Sequence, residues 1–354
     1  MSTANDRPSF FLETRRDWLA GAIVERQWQL QPELSARYDE PARLKSVRDT
    51  GYTLSYLAHA IQAGEQTLFL EYIGWLKILL TRQNVPIEDL AQNLRVMRDV
   101  LPRTLPPKEA TAAVALLTAS IEHLPHMPSS LPSFLDGSSP QADLARRFLS
   151  HLLKGERQQA GRLILAAVAE GVEVRDIYLH VFQPCLREIG RLWQLNEISV
   201  AQEHFCTAAT QLIMSQLYPY IFATPRLNRR LVAACVGHEL HEVGLRMVAD
   251  LFELDGWDTY YLGANTPLES IAAAVSQQSA HVLAISATMT FHLPAVTDLI
   301  AFVRKREPGS HVKILVGGYP FNTAPNLWRT LGADGYAPDA VAAIATANRL
   351  LLEN

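Results

Sequence analysis

The sequence predicts an α plus α/β chain: an N-terminal helical domain, a four-helix bundle, and then a five-stranded parallel sheet covered by helices. Three observations carry this. Apolar residues recur at helical spacing through the first two thirds of the chain. From residue 229 onward, short apolar runs alternate with helical patterns. Between these regions lie "PHMPSSLPSFLDGSSPQ" (125–141), rich in Pro, Ser and Gly, and the shorter "ATPRLNRR" (223–230), both of which read as linkers.

Residues 1–124 form the first helical domain. "GYTLSYLAHAIQAG" and "QTLFLEYIGWLKILLTRQ" have helical periodicity. "PIEDLAQNLRVMRDVL" opens on Pro86 with acids in its first turn, a helix start. "KEATAAVALLTASIEHL" is a further helix. After the linker at 125–140, residues 141–222 supply four helices with short connections, the pattern of a bundle. Gly155 and Gly171 stop the first two, and Ser199 with Gln202 three residues on is a capping pair for the fourth. Trp193 then lies near the end of the third helix, and Glu203 and His204 lie in the first turns of the fourth. In residues 229–354, "LVAACVG", "DTYYLG", "HVLAISA", "VKILVGG" and "ADGYA" read as buried parallel strands with helices between them.

Composition bounds the function. With 48% hydrophobic and 19% charged residues, the 354-residue chain is globular, and a net charge of −4 argues against direct nucleic-acid binding. No apolar run approaches the roughly 20 residues that cross a bilayer. The start, MSTANDRPSFF, lacks the basic and apolar stretches of a signal peptide. The three cysteines, Cys185, Cys206 and Cys235, sit in apolar contexts, which fits buried thiols in a reducing cytoplasm and leaves no zinc motif.

Ligands of such sheets bind beyond the C-terminal strand ends. There the sequence places Glu239, His241 and Gly244 after the first strand, Ser286 and Thr288 after the third, and Gly317-Gly318 after the fourth. Taken singly, these are an exposed loop histidine, a helix cap and a turn. Together they resemble the cobalamin-binding signature of the vitamin B12-binding Rossmann-like (flavodoxin-like) fold, with Thr288 where that family usually has Leu or Val. The resemblance implies that His241 is the lower axial ligand of cobalt and that Glu239 orients it. It also implies that Gly317, Gly318, Ser286 and Thr288 receive the displaced nucleotide tail, bordered by Gly263, Ala264 and Asn265.

Trp193, nine residues, then Glu203-His204 resembles the bundle signature of light-sensing cobalamin proteins of the CarH and LitR type. The resemblance implies adenosylcobalamin, with Trp193, Glu203 and His204 around the adenosyl group and photolysis of the cobalt–carbon bond as the trigger. Two departures stand out: there is no MerR-like DNA-binding domain, and Gln194 stands where some relatives have a cobalt-capturing histidine. In the N-terminal domain Tyr52, Tyr56 and His59 share a helix face, and Arg43 and Arg48 suit carboxylates. The periodicity alone reads as an aromatic core edge with solvated arginines. Combined with a cobalamin module, it also resembles the photocobilins, which implies biliverdin as a second chromophore, held without a thioether because no cysteine precedes Cys185. The expected function is thus a non-enzymatic cobalamin-dependent light sensor that signals to an unknown downstream protein or through homo-oligomer state. Two alternatives stay open: a corrinoid methyl carrier of a methyltransferase system, and a haem- or hydroxocobalamin-sensing regulator of the AerR or AppA kind. An NAD enzyme is disfavoured, since no G-x-G-x-x-G follows the first strand.

Overall fold

The structure is a computed structural model that describes residues 9–137, 139–306 and 311–353. Most of the stretch read above for a leader, Ser138 of the linker, and the last residue of 229–354 lie outside the described residues. Packing divides the chain into two units. One runs to Ser129 and takes in Met289–Pro294; the other comprises Ser130–Thr288 and Ala295–Asn354.

The first unit is helical. Its main helices are α1 (Arg16–Leu30), α2 (Glu40–Ala63), α3 (Gln66–Arg82), α4 (Ile87–Val100) and α5 (Pro107–His123). The periodic run beginning at Gly51 is the second half of α2, which starts at Glu40 because Asp39 caps it, accepting from the Ala42 N–H at 2.9 Å. Gly64 ends it at φ 69°, a left-handed stop that glycine adopts without strain. Leu54, Leu57 and Ala58 of α2 share a core with Leu19 and Ile23 of α1 and Phe69 and Ile73 of α3, all fully buried. Lys77 is also buried, and its ammonium donates to the carbonyls of Leu124 (2.8 Å) and Met127 (2.6 Å), satisfying the end of α5.

The second unit holds the bundle and the sheet. The bundle helices are α6 (Ala142–Leu153), α7 (Arg157–Ala169), a third helix in pieces, and α9 (Val200–Gln216). The third begins at Val174–Ile177, passes through a π-turn at Tyr178–Phe182, and continues as α8 (Gln183–Gln194). Pro184 explains the interruption. Its ring cannot sit over the carbonyl four residues back, and the Gln183 N–H returns five residues, to Tyr178. At the head of α9 the Ser199–Gln202 capping box is present.

The sheet is parallel, in the order β2 (Asp258–Gly263), β1 (Arg230–Cys235), β3 (Val282–Ser286), β4 (Lys313–Gly317), β5 (Gly335–Tyr336). Helices α10 (Val243–Leu254), α11 (Leu268–Gln277), α12 (Leu293–Arg306) and α13 (Ala340–Leu352) connect or follow the strands. This is the five-stranded Rossmann-like arrangement the strand pattern predicts. The winding reverses between β1 and β3, which opens a crevice beyond their C-terminal ends. The register there is direct: Cys235 pairs with Ser286, and Ser286 with Gly317. One hydrophobic cluster runs from the bundle (Phe148, Phe182, Leu217, Ile221) into the sheet and its helices (Val282, Phe252, Trp257).

Candidate functional site

The loop after β1 stands at the switch point, and it is tightly tied. His238 takes a left-handed φ of 68°, and its N–H donates to Asn265 Oδ1 at 2.7 Å. The Asn265 N–H in turn donates to the Glu239 carbonyl at 2.9 Å. The β1 and β2 loops are therefore clamped together, and Asn265 acts as the clamp.

Glu239 is fully buried. A buried carboxylate needs donors, and Glu239 finds them in the same loop and at the end of β3. Its Oε1 accepts from the His241 N–H at 3.0 Å and from His241 Nδ1 at 2.6 Å, and its Oε2 accepts from the Thr288 N–H at 2.6 Å. With Nδ1 engaged, the neutral imidazole carries its lone pair on Nε2, the state that ligates a metal. The His241 side chain is 59% exposed. Its pKa is held above the usual imidazole value, chiefly by the Glu239 hydrogen bond, against the opposing effect of burial; Glu203 adds a smaller pull. The neighbouring Cys235 does not compete as a ligand, because burial pushes its thiol up to about 12.

Glu242, one residue past His241, organises the rest of the loop. It accepts from the Ala264 N–H (2.9 Å), Tyr261 OH (3.2 Å) and Gln211 Nε2 (3.4 Å). A Cβ on Gly263 would come within 3.0 Å of its carboxylate. Gly244 differs: it is exposed, and an added Cβ would meet nothing within 4 Å. Gly317 and Gly318 follow β4. Gly318 has φ 107°, and a Cβ there would lie 2.0 Å from the Ala287 carbonyl oxygen. The chain's own backbone therefore already calls for a glycine at this position. Ser286 and Thr288 are half-buried at the end of β3.

These residues fit a corrinoid. An exposed imidazole oriented by a buried carboxylate suits cobalt, and Gly244 keeps open space beside it. In the bundle, Trp193 is half-buried and Gln194 is buried, 4% exposed. Glu203 accepts from Thr207 Oγ1 at 2.9 Å and from Nδ1 of His204, whose side chain is 75% exposed. Gln211 of α9 donates to Glu242 at 3.4 Å, so α9 and the β1 loop lie near one another.

In the first unit, the expected chromophore residues separate. Arg48 and Tyr52 line a cleft of about 380 Å³ together with Arg16, Asp17, Leu44 and Val47. Tyr56 instead stacks on Tyr72 at 3.8 Å between ring centroids. His59 is buried, with Nδ1 2.8 Å from the Ser55 carbonyl. Arg43, expected to suit a ligand carboxylate, is paired with Glu25 and Glu40 of its own unit.

Sequence reasoning missed Asn265 as a clamp, Glu242 and the Thr288 backbone donor. The first two are polar neighbours of the motif; the third leaves no trace in residue identity.

Comparisons with known proteins point to the same class of cofactor. A B12 binding domain profile matches residues 229–345, and a second B12 binding domain profile matches residues 144–218. Dimethylamine corrinoid protein 2 of Methanosarcina mazei is 30% identical over 198 residues, 53% of this chain and 90% of that protein. A corrinoid protein of Desulfitobacterium hafniense is 22% identical over 205 residues, 56% of this chain and 94% of its own. Among solved structures, the monomethylamine corrinoid protein of Methanosarcina barkeri superposes with a TM-score of 0.53 at 20% identity, over 59% of this chain and 99% of that one, a likeness of fold.

Proposed function

Because this chain belongs to the family of corrinoid proteins built on B12 binding domains, we propose that it holds a cobalamin with His241 as lower axial ligand and presents it to a methyltransferase as a methyl carrier. The observation that carries the cofactor is the His241–Glu239 pair, with the carboxylate buried and its second oxygen held by the Thr288 N–H. The carrier role rests on the relatives, among them dimethylamine corrinoid proteins. Bound cobalamin supplies a cobalt ion able to take up and release a one-carbon group. The chain's own residues orient the ligand and shield it: Glu239 fixes the tautomer of His241, Glu242 and Asn265 hold the loop, and Ser286, Thr288, Gly317 and Gly318 border the crevice for the nucleotide tail. Catalysis of transfer falls to the partner enzyme.

A second reading is a light sensor that takes adenosylcobalamin and signals through a partner or oligomer state. One observation favours it: the Glu203–His204 pair opens α9, the helix whose Gln211 donates to Glu242 of the β1 loop, and Trp193 is half-buried near the end of α8. A methyl group needs no such aromatic and polar surround. Biliverdin, as a second chromophore, would meet the cleft of Arg16, Arg48 and Tyr52.

Absorption spectra decide between the readings. Protein purified in the dark with adenosylcobalamin and biliverdin is recorded before and after green light, and the reduced protein is then offered a methyl donor. Methylation with light-indifferent corrin bands supports the carrier. Bands that convert irreversibly in light support the sensor, and a red band adds the bilin. Absence of any corrin band overturns both.

A further inference from the structure

Loops that follow the strands of such sheets ordinarily run over the surface. The one after β3 does not. Thr288 donates its N–H to the buried Glu239 carboxylate at 2.6 Å. The residues that come next, Met289–Pro294, pack as part of the helical unit. They make a tight turn at Thr290–His292, closed by the His292 N–H on the Met289 carbonyl at 2.9 Å. Thr290, His292 and Leu293 are all buried.

Tyr56 of α2 grips this turn. Its hydroxyl donates to Met289 Sδ at 3.6 Å, and Phe291 meets its ring edge-on, 5.5 Å between centroids and 81° between planes. Tyr56 also stacks on Tyr72 of α3, 3.8 Å between centroids and 12° between planes. Tyr72 is a firm backing. It is buried, its hydroxyl shares a hydrogen bond with Thr53 Oγ1 at 3.0 Å, and Phe69 and Trp75 flank its ring, each at 6.2 Å. A thioether sulfur is a weak acceptor, so the ring contacts, rather than the hydroxyl, carry the grip.

We propose that Tyr56 is a positioning residue for the cobalt ligand. By holding Met289 and Phe291 against Tyr72, it fixes where the Thr288 N–H stands, and that N–H holds Glu239 in its aim at His241 Nδ1. The step from Met289 to Thr288 is a peptide bond, so displacement of the turn is felt directly at the strand end. A buried carboxylate that loses a donor turns toward whatever other donor or water it can reach, and its aim at the imidazole loosens. The helical unit thereby tunes how strongly His241 binds cobalt. The inference rests on the corrinoid reading for the metal; the hold on Thr288 stands without it.

The test uses the full chain as wild type, Tyr56→Ala, Tyr56→Phe, Phe291→Ala and the double variant Tyr56→Ala with Phe291→Ala. Hydrogen exchange at the Thr288 amide is followed first, without cofactor. The proteins are then loaded with methylcobalamin in the dark, and the pH at which His241 leaves cobalt is read from the corrin spectrum. Tyr56→Ala should speed Thr288 exchange about tenfold, the worth of one hydrogen bond to a charged group. It should also raise the pH of ligand release by about half a unit to one unit, a ligation about three- to tenfold weaker, because protons then compete more easily for the imidazole. Tyr56→Phe should restore both. Phe291→Ala removes the grip from the loop side and leaves the stack on Tyr72, so the test does not depend on Tyr56→Ala folding. The double variant should add little to either single one, because the two rings share one contact. Unchanged Thr288 exchange, acceleration spread evenly over the helical unit, or faster exchange with an unmoved release pH overturns the proposal. A wild type that takes up no methylcobalamin defeats the corrinoid reading instead, and the Thr288 amide still decides the hold.

Discussion

Gly244 and Gly318 stand at two mouths of the same crevice and are glycines for opposite reasons. Gly318 is required by the chain: its φ is 107°, and any Cβ would collide with the Ala287 carbonyl. Gly244 sits in the first turn of α10 with negative φ and open space around it, so the folded protein alone gives it no reason to lack a side chain. A helix position that avoids alanine costs stability. The contrast separates a glycine that the fold needs from one that the fold alone leaves unexplained.

The sharpest way to break the contrast is Gly318→Ala. It should destabilise the chain by about 3 kcal/mol or more, since backbone must move to admit the methyl; urea unfolding reads this. Next comes Glu239→Gln. It keeps the shape but weakens the hold on His241, and cobalamin affinity should fall on the order of 10–100-fold in a spectrophotometric titration; unchanged affinity would remove Glu239 from the ligand's support.

A third experiment uses pH. Burial pushes Asp250 up to about 6, against the pull of Tyr178 and Arg246, from an ordinary value of 3.8. Between those values the folded chain binds the proton more tightly than the unfolded one. The contribution is therefore full below about 3.8 and lost as pH rises through 6. Relative to Asp250→Asn, the wild type should lose on the order of 2 kcal/mol between pH 4 and pH 7. A stability difference flat in pH would mean that the carboxyl is not perturbed.

The smallest effect sharpens the comparison most. Gly244→Ala should stabilise the cobalamin-free protein by roughly 0.5 kcal/mol while weakening cobalamin uptake. Loss of stability would show that the chain needs this glycine too.

Much of this was legible before any coordinates. Strands β1, β3 and β4 announce themselves as short apolar runs, and their ends carry the motif residues, so parallel register brings Cys235, Ser286 and Gly317 into one row. Helix α1 was not recognised, because Trp18 and several polar residues interrupt its apolar stripe. The first half of α2 is charged and hid its true start at Glu40. His241 and Glu239 could be read because they lie two residues apart. Tyr178 and Asp250 lie 72 residues apart, and only the fold makes them partners. The bilin residues were read as one face, yet Tyr52 is exposed while His59 is buried, since a helix face seven residues long runs from a cleft into a packed interior.

The buried thiols have a practical consequence. Burial pushes Cys185 up to about 12, Cys206 to about 11 and Cys235 to about 12. At neutral pH all three are protonated and enclosed, and so are slow toward maleimides and iodoacetamide. Fluorophores or spin probes can then be attached at cysteines introduced on α9 and beside β1 without first removing the native ones, which lets the separation between bundle and sheet be followed in otherwise unaltered protein.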